Sequence, residues 1–184
     1  MMQDAAVIRT RSVERDAFAL PGGKVGVYTG LIQLAESDAE LAIVMGHEIG
    51  HVIARHGAER MSEAAVIAGI GMMGAAIVDA KTEDPQARQL FELAYGAGTT
   101  LGRVLPHSRG NESEADRMGA IYAARAGYDP RAGITLWEKM SAKAKGAPPQ
   151  WLSTHPAGST RIHGIEKNLP KVTPLYERAP KAPT

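Results

Sequence analysis

Five consecutive residues, His47-Glu48-Ile49-Gly50-His51, have the types and the spacing of a metal-dependent hydrolytic site. On a helix, residues four positions apart project from the same face, so His47 and His51 can offer two imidazole nitrogens to one metal ion. Glu48 lies about 100° further round such a helix, where its carboxylate can reach a metal-bound water without being a ligand. Zinc lowers the pKa of that water to roughly 7, and Glu48 would take its proton. We therefore predict a zinc site with its own general base, suited to hydrolysis of an amide.

The residues around this motif predict the helix that the two histidines need. Ser37 with Glu40 three residues later is a capping box, and acidic residues in the first turn complement the helix dipole. Apolar residues then recur with helical spacing as far as Arg55, without proline or strand-like alternation. The alternative is that the histidines are core or surface residues, but two imidazoles and a carboxylate would be costly to bury unpaired.

Two histidines leave a third protein ligand to be found. The motif class with Gly three residues and His six residues after the second histidine is excluded, because Ala54 and Gly57 stand at those positions. His56 would lie about 180° round the helix from His47, so we interpret it as a helix-end histidine favoured by the dipole.

A later acidic segment offers the missing carboxylate. We predict a helix over residues 111–126, in which Glu112 and Asp116 are four residues apart and face the same side. Glu112 would bind zinc, and Asp116 would accept a hydrogen bond from the far nitrogen of a ligand histidine and fix its tautomer. Glu114 is displaced by about 200° and should face solvent. The alternative is that these carboxylates merely stabilise a helix N-terminus.

The composition is that of a single globular domain large enough to bury a core. Among 184 residues, 21 basic and 20 acidic side chains nearly cancel, which predicts no nucleic-acid partner. Because cysteine is absent, zinc must use histidine and carboxylate ligands. The first residues lack a basic and then apolar pattern, so we expect no signal peptide in this chain.

The rest of the chain predicts a predominantly helical α+β fold with a small sheet. The run Lys24-Val25-Gly26-Val27-Tyr28-Thr29 alternates as a strand does. We assign residues 1–169 to one domain and the Pro/Lys/Ala-rich residues 170–184 to a surface-draped or disordered tail. Further helices are expected over residues 86–101, 130–145 and 160–168.

Residues 64–78 carry no charge, and two interpretations stay open. Their number is below the roughly 20 residues that span a bilayer, which favours a helix buried in the protein. The alternative is a hairpin that contacts a membrane surface, a membrane protein or a substrate.

The pair of motifs His47-Glu48-x-x-His51 and Glu112-x-x-Ala115-Asp116 resembles that of the gluzincin metallopeptidases of the HtpX, Oma and Ste (CAAX prenyl protease) type. Within that group, the motifs resemble those of the soluble bacterial branch of BepA and LoiP type. Other stretches carry the likeness as well: Ala17 to Gly23, Val27 to Leu31, Leu34 to Leu41, Ser108-Arg109, and Thr154-His155-Pro156 before Arg161-Ile162.

The resemblance implies a zincin-like fold and a zinc-dependent endopeptidase, with one zinc ion on His47, His51 and Glu112 and with Glu48 as the base. It implies unfolded or misfolded protein substrates, in particular misfolded or misassembled envelope proteins. The expected setting is therefore protein quality control, in the periplasm or in association with a membrane.

Further roles follow from the same resemblance. In proteases of this architecture the substrate lies extended along an edge strand above the active-site helix, and the strand Lys24–Thr29 is the expected edge. His155 and Arg161 are the expected stabilisers of the tetrahedral oxyanion. His155 is also the candidate for a switchable fourth zinc ligand that closes the enzyme when no substrate is present.

Two other classes of function stay open. One is a zinc-latched, weakly active or non-catalytic chaperone-like module that binds unfolded chains along residues 24–29. The other is an aminopeptidase, which is disfavoured because no segment of Gly-x-Met-Glu-Asn type is present to anchor a substrate amine. The sequence does not indicate the oligomeric state.

Overall fold

The structure, a computed structural model, describes residues 7–10, 17–20, 24–143 and 159–182. Helices make up most of these residues, which confirms the predicted, predominantly helical α+β fold. The described residues form two compact units, a first unit within residues 1–54 and 112–184 and a second unit of residues 55–111. The elements are β1 (Val7–Thr10), β2 (Ala17–Leu20), β3 (Lys24–Tyr28), α1 (Thr29–Leu34), α2 (Asp38–Ile53), α3 (His56–Lys81), α4 (Pro85–Thr99), a π-helical segment (Thr100–Val104), α5 (Leu105–Arg125), α6 (Ala132–Lys143) and α7 (Ser159–Arg178).

The sheet has the order β1-β3-β2, so β3 is its central strand. It pairs in parallel with β1, where Val7 lies opposite Val25, and antiparallel with β2, where Ala17 lies opposite Val27. The prediction that Lys24–Thr29 is a substrate-binding edge strand is therefore wrong, because both backbone edges of β3 are already paired, and because Thr29 is the first residue of α1. Residues 25–27 are all buried, as is typical of a strand covered on both faces.

Helix α2 begins where the capping box predicted. The Ser37 hydroxyl accepts a hydrogen bond from the Glu40 N–H at 3.2 Å. The Glu40 carboxylate does not return this bond to Ser37; it accepts from the Glu36 N–H at 2.8 Å instead. Its other oxygen accepts from Lys139 Nζ at 2.8 Å and from the Thr135 hydroxyl at 2.9 Å, so a buried carboxylate joins α2 to α6.

Helix α2 ends at Ile53, two residues earlier than expected. The chain turns there because Arg55 adopts a left-handed conformation with φ 59°. His56, which we expected at the end of this helix, is instead the first residue of α3.

The core of the first unit lies between the sheet and four helices. It consists of apolar side chains from β2, β3, α1, α2, α6 and α7, and it fixes the face of α2 that carries Val44. Its buried members are Ala17, Val25, Val27, Leu31, Leu34, Val44, Leu136, Trp137, Met140 and Ile165.

Helices α2 and α5 pack with their backbones almost in contact. A Cβ atom built on Gly46 would lie 2.7 Å from the Gly119 carbonyl oxygen, and one built on Gly119 would lie 2.6 Å from the His47 nitrogen. A Cβ atom on Gly50 would lie 3.1 Å from Ala115 Cα. Small residues at four-residue spacing on both helices therefore allow the close approach.

Helix α5 begins at Leu105, ahead of the predicted start at Asn111. Pro106 does not interrupt the helical chain, because it stands where π-type hydrogen bonding gives way to α-type bonding, and the missing N–H falls at that change. Glu112 consequently lies about two turns inside the helix, so stabilisation of a helix N-terminus does not explain it.

Helix α7 continues to Arg178, so the tail predicted from Pro170 is wrong over that stretch. Pro170 and Pro174 lie inside the helix and each removes one backbone hydrogen bond. Burial offsets this cost, because Val172 is 2% exposed and packs in a small apolar cluster with α5. The other members of that cluster are Ala120 and Ala124, with Ile121, Leu175 and Tyr176 packed against it.

The second unit is built on the hairpin of α3 and α4. The Tyr95 hydroxyl donates a hydrogen bond to the Ile67 carbonyl at 2.7 Å. Only 6% of the most apolar 18-residue window of α3 is buried, so the prediction that residues 64–78 form a buried helix is wrong. α4 covers only one side of α3, and an absence of charge does not by itself distinguish a core helix from an exposed one. Within the described residues, α3 is the one helix long and apolar enough to cross a membrane.

Candidate metal centre

Three side chains that can bind a metal ion converge in the first unit. His47 and His51, on successive turns of α2, and Glu112 of α5 are all buried. His47 Nε2 lies 3.0 Å from His51 Nε2 and 3.3 Å from Glu112 Oε2. His51 Nε2 lies 3.3 Å from Glu112 Oε1. The structure thus brings together the three residues that the sequence predicted as ligands.

The spacing of these atoms fits a tetrahedral metal ion. Tetrahedral bonds of about 2.0–2.1 Å separate neighbouring ligand atoms by about 3.3 Å. The ligand-atom separations of 3.0 and 3.3 Å are close to that value. Two imidazole nitrogens and a carboxylate are also the donor set of many hydrolytic zinc sites, with a fourth position left for water or substrate. These three residues could therefore hold a metal ion.

Asp116 lies behind the first histidine. Its Oδ1 is 2.9 Å from His47 Nδ1, which favours the tautomer that carries its proton on Nδ1 and leaves the Nε2 lone pair for a metal. Burial lowers the pKa of His47, but hydrogen bonds to Asp116 and Glu112 outweigh it and raise the pKa to about 9. Burial raises the pKa of Asp116, but His47 and the Arg161 guanidinium together hold it below its ordinary value. Asp116 is thus an ionised acceptor in a buried network.

Arg161 holds both carboxylates of the site. Its Nε donates to Asp116 Oδ2 at 2.7 Å, its Nη1 donates to Glu112 Oε2 at 3.1 Å, and its Nη2 contacts Asp116 Oδ1. Its Nη2 also lies 3.2 Å from His47 Nδ1, the ring nitrogen that faces away from the ligand cluster. The guanidinium thus lies behind the ligand set, whereas an oxyanion stabiliser would face the reacting carbonyl.

The sequence did not indicate Trp137, whose ring packs against the Arg161 guanidinium. Arg161 Cζ lies 4.1 Å from the centre of the Trp137 ring, and both side chains are buried. A desolvated cation over an indole ring is attracted by the ring quadrupole. No local signal marks this pair, because Trp137 is on α6 and Arg161 on α7.

The remaining predicted residues have different outcomes. Glu48 follows His47 on α2 and is 2% exposed. Glu114 has a side chain that is 46% exposed, in agreement with its predicted solvent-facing position. His155 lies outside the described residues, so its roles as oxyanion stabiliser or fourth ligand stay predictions.

Comparison with known proteins gives consistent results. The model of Peptidase family M48 matches residues 2–169 of the chain. The mitochondrial metalloendopeptidase OMA1 of Schizosaccharomyces pombe is 37% identical over 158 residues, which cover 85% of this chain and 44% of that protein. The OMA1 of Saccharomyces cerevisiae is 31% identical over 179 residues, covering 94% and 49%. The beta-barrel assembly-enhancing protease of Escherichia coli K12 is 33% identical over 167 residues, covering 88% and 34%. The chain spans less than half the length of these relatives.

Proposed function

The chain belongs to peptidase family M48, and from this premise we propose that it is a metal-dependent endopeptidase. The observation that carries the proposal is the convergence of His47, His51 and Glu112, buried and spaced like the ligands of a tetrahedral ion. A carboxylate that is not part of this set, Glu48, stands next to the first ligand on the same helix. Relatives that are metalloendopeptidases and a protease by name support the same reaction.

Zinc is the metal we propose. Histidine nitrogen and carboxylate oxygen suit zinc, and four-coordinate geometry agrees with the 3.0–3.3 Å separations of the donor atoms. When bound, the ion supplies a Lewis acid that acidifies a water molecule and polarises the scissile carbonyl. Asp116 and Arg161 position the ligands, because they hold His47 and Glu112 from behind through the hydrogen bonds described above.

Glu48 is the proposed general base. Attack of water on the carbonyl carbon requires that the water lose a proton, and the Glu48 carboxylate would accept it. Microscopic reversibility then assigns the same residue the delivery of that proton to the leaving amine nitrogen. Glu48 can hold both roles because it lies about 100° round α2 from His47 and is not needed as a ligand.

We propose that an extended substrate pairs with β2, because β3 is already paired on both edges. Among the described strands, β2 is an edge strand, and of the three it packs most closely against α2, which carries the ligand histidines. An extended substrate would donate and accept backbone hydrogen bonds along its unpaired edge. This mode of binding recognises backbone N–H and C=O groups. In folded proteins these groups are already paired with one another, whereas in unfolded chains they are not.

Misfolded or misassembled envelope proteins are therefore the proposed substrates, and the periplasm or an envelope membrane is the proposed location. Recognition through β2 supports substrates with exposed backbone. The similarity to a protease whose name refers to beta-barrel assembly supports the envelope setting.

A second candidate is a latched module that binds unfolded chains without cutting them. Burial of the site favours it, because His47 is 2%, His51 8% and Glu112 4% exposed, which leaves little room for a substrate carbonyl. His155 is the proposed latch. Turnover by the variant His155→Ala beside an inert wild type would favour this candidate.

The variant Glu48→Gln tests the endopeptidase directly. Glutamine keeps the shape of the side chain but cannot accept the proton, so turnover of casein should fall by roughly a hundred- to ten-thousandfold while stoichiometric zinc is retained. The matched control Glu114→Gln, on the exposed side of α5, should change neither quantity. Unchanged turnover in Glu48→Gln would contradict the assignment of the base.

The variant Glu112→Ala tests the third ligand. We expect zinc to be lost in competition with a chelator that leaves the wild type loaded, because two histidines alone do not complete the set. Retention of stoichiometric zinc under the same competition would contradict the proposed ligand role.

A further inference from the structure

The second unit carries many large apolar side chains that are exposed to solvent. Helix α3 is regular over 26 residues. Six of its large apolar residues are more than half exposed. Residues 64–78 contain no charged side chain. An exposed apolar surface of this kind marks a contact with a protein or a membrane. The six residues are Met61, Val66, Ile70, Met72, Met73 and Ile77.

One side of α3 is covered by α4. The Phe91 and Tyr95 rings of α4 lie over Gly74 and Gly71, so close that a Cβ atom on Gly71 would be 2.9 Å from Tyr95 Cε1. The rings are stacked, with centres 5.7 Å apart. Since this contact occupies the side of α3 that carries Gly71 and Gly74, the large exposed side chains point in other directions.

Those side chains do not form a single face. Val66, Ile70, Met73 and Ile77 form one stripe at helical spacing, and Met72 projects about 120° round the helix from Val66. A flat protein surface would cover one of these directions, whereas fluid acyl chains would cover both. A helix that is apolar on nearly all sides is stable when its whole circumference is in an apolar medium.

Charged residues flank the uncharged stretch of α3 on both sides, and two groups of them form ion pairs. At one end Arg103 Nε donates to Glu63 Oε1 at 2.6 Å. At the other end Arg88 contacts Asp79 and donates to Glu92 Oε1 at 2.9 Å. The 26 residues of α3 as a whole are long enough to cross a membrane. Its uncharged stretch between these charged groups, however, is only about 22 Å long, shorter than the roughly 30 Å of a bilayer core. The hairpin is therefore suited to lie within one interface and not to cross the membrane.

We propose that the α3–α4 hairpin embeds in one face of a lipid bilayer, with α3 among the acyl chains and the side of α4 that carries Arg88, Gln89 and Glu92 at the level of the headgroups. Residues 55–111 contain six acidic and six basic side chains, so anionic lipid should not be required. The surface deepens the envelope location proposed above, and its chemistry is independent of the peptidase site.

Flotation of the whole chain with phosphatidylcholine vesicles tests the proposal. We expect the wild type to float with the vesicles at low and at high salt, because the attraction is apolar. The double variant Ile70→Asp/Met73→Asp should reduce the floating fraction by roughly tenfold or more. The control Gln89→Asp, at an exposed polar position next to Arg88 on α4, should float like the wild type.

Site-specific labelling tests the orientation, and the absence of cysteine makes it simple. A polarity-sensitive fluorophore on Met72→Cys should shift to shorter wavelength when vesicles are added, whereas the same dye on Gln89→Cys should shift little. Equal shifts at both positions would overturn the proposed orientation.

Three results would overturn bilayer binding: a wild type that stays at the bottom of the gradient, flotation that needs anionic lipid and low salt, or equal flotation of the double variant. Dimers that the double variant dissociates in the absence of lipid would assign the surface to a second copy instead. Casein turnover without vesicles should be the same in both variants and the wild type, so failure here and failure of the peptidase proposal are distinguishable.

Discussion

Arg161 binds the two carboxylates of the candidate site with one planar group. Lysine would keep the positive charge but lacks the forked set of N–H donors of a guanidinium. Arg161→Lys therefore cannot donate to both Glu112 and Asp116 in the present geometry. We expect zinc affinity to fall by about 10- to 100-fold, with the helical content unchanged. Chelator competition measures the affinity and circular dichroism the fold. The control Arg125→Lys, at an exposed position of α5, should bind zinc like the wild type, and equal affinity in both variants would contradict a positioning role.

The residues of the site could be predicted to the extent that their geometry is local. His47, Glu48 and His51 follow from the periodicity of one helix, and the spacing of Glu112 and Asp116 follows from another. That these two helices meet could be inferred because two histidine ligands need a carboxylate to complete the set. The place of Arg161 behind the ligands and its contact with Trp137 could not be predicted, because they depend on how α6 and α7 pack.

The approach of α2 to α5 is an element-scale feature that glycine makes possible. Alanine normally stabilises a helix relative to glycine by about 1 kcal/mol. In Gly119→Ala the sign should reverse, because the new Cβ would lie 2.6 Å from the His47 nitrogen, and backbone cannot move aside cheaply. We expect a loss of about 2–3 kcal/mol in the free energy of unfolding, together with weaker zinc binding.

The same helix offers a matched control. Gly110 of α5 has nothing within 4 Å of its hypothetical Cβ, so Gly110→Ala should leave zinc binding unchanged and raise stability by up to about 1 kcal/mol. Denaturant unfolding of both variants measures the difference. Similar stabilities for the two variants would mean that the α2–α5 contact relaxes easily.

The sequence predicted whether a segment forms a helix or a strand better than it predicted what that segment packs against. The strand predicted at Lys24–Thr29 agrees with β3 except at Thr29, but its alternation carries no information on whether both of its edges are paired. The charge-free run at 64–78 indicated a helix but not its exposure. Pro170 and Pro174 argued against a helix, and the burial of Val172 outweighed them. In each case tertiary packing decided what local pattern left open.

For the whole molecule, nearly balanced charge means that stability depends on particular buried carboxylates more than on net repulsion. Glu40 is the clearest case away from the metal centre. Burial raises the pKa of its carboxyl, but hydrogen bonds from Lys139, the Glu36 backbone and Thr135 outweigh it and hold the pKa below its ordinary value of 4.5.

Acid should therefore destabilise the molecule through Glu40. A carboxyl whose pKa is lowered by folding contributes stability that is present above the unfolded pKa and is lost as pH falls through the folded one. We expect the free energy of unfolding of the wild type to decline below about pH 4.5. Glu40→Gln removes the charge that Lys139 and Thr135 hold, so it should cost about 2 kcal/mol at neutral pH and flatten the decline. Denaturant unfolding from about pH 3 to pH 7 measures both effects, with Glu114→Gln as the exposed control; a decline as steep in Glu40→Gln as in the wild type would show that other carboxyls govern acid stability.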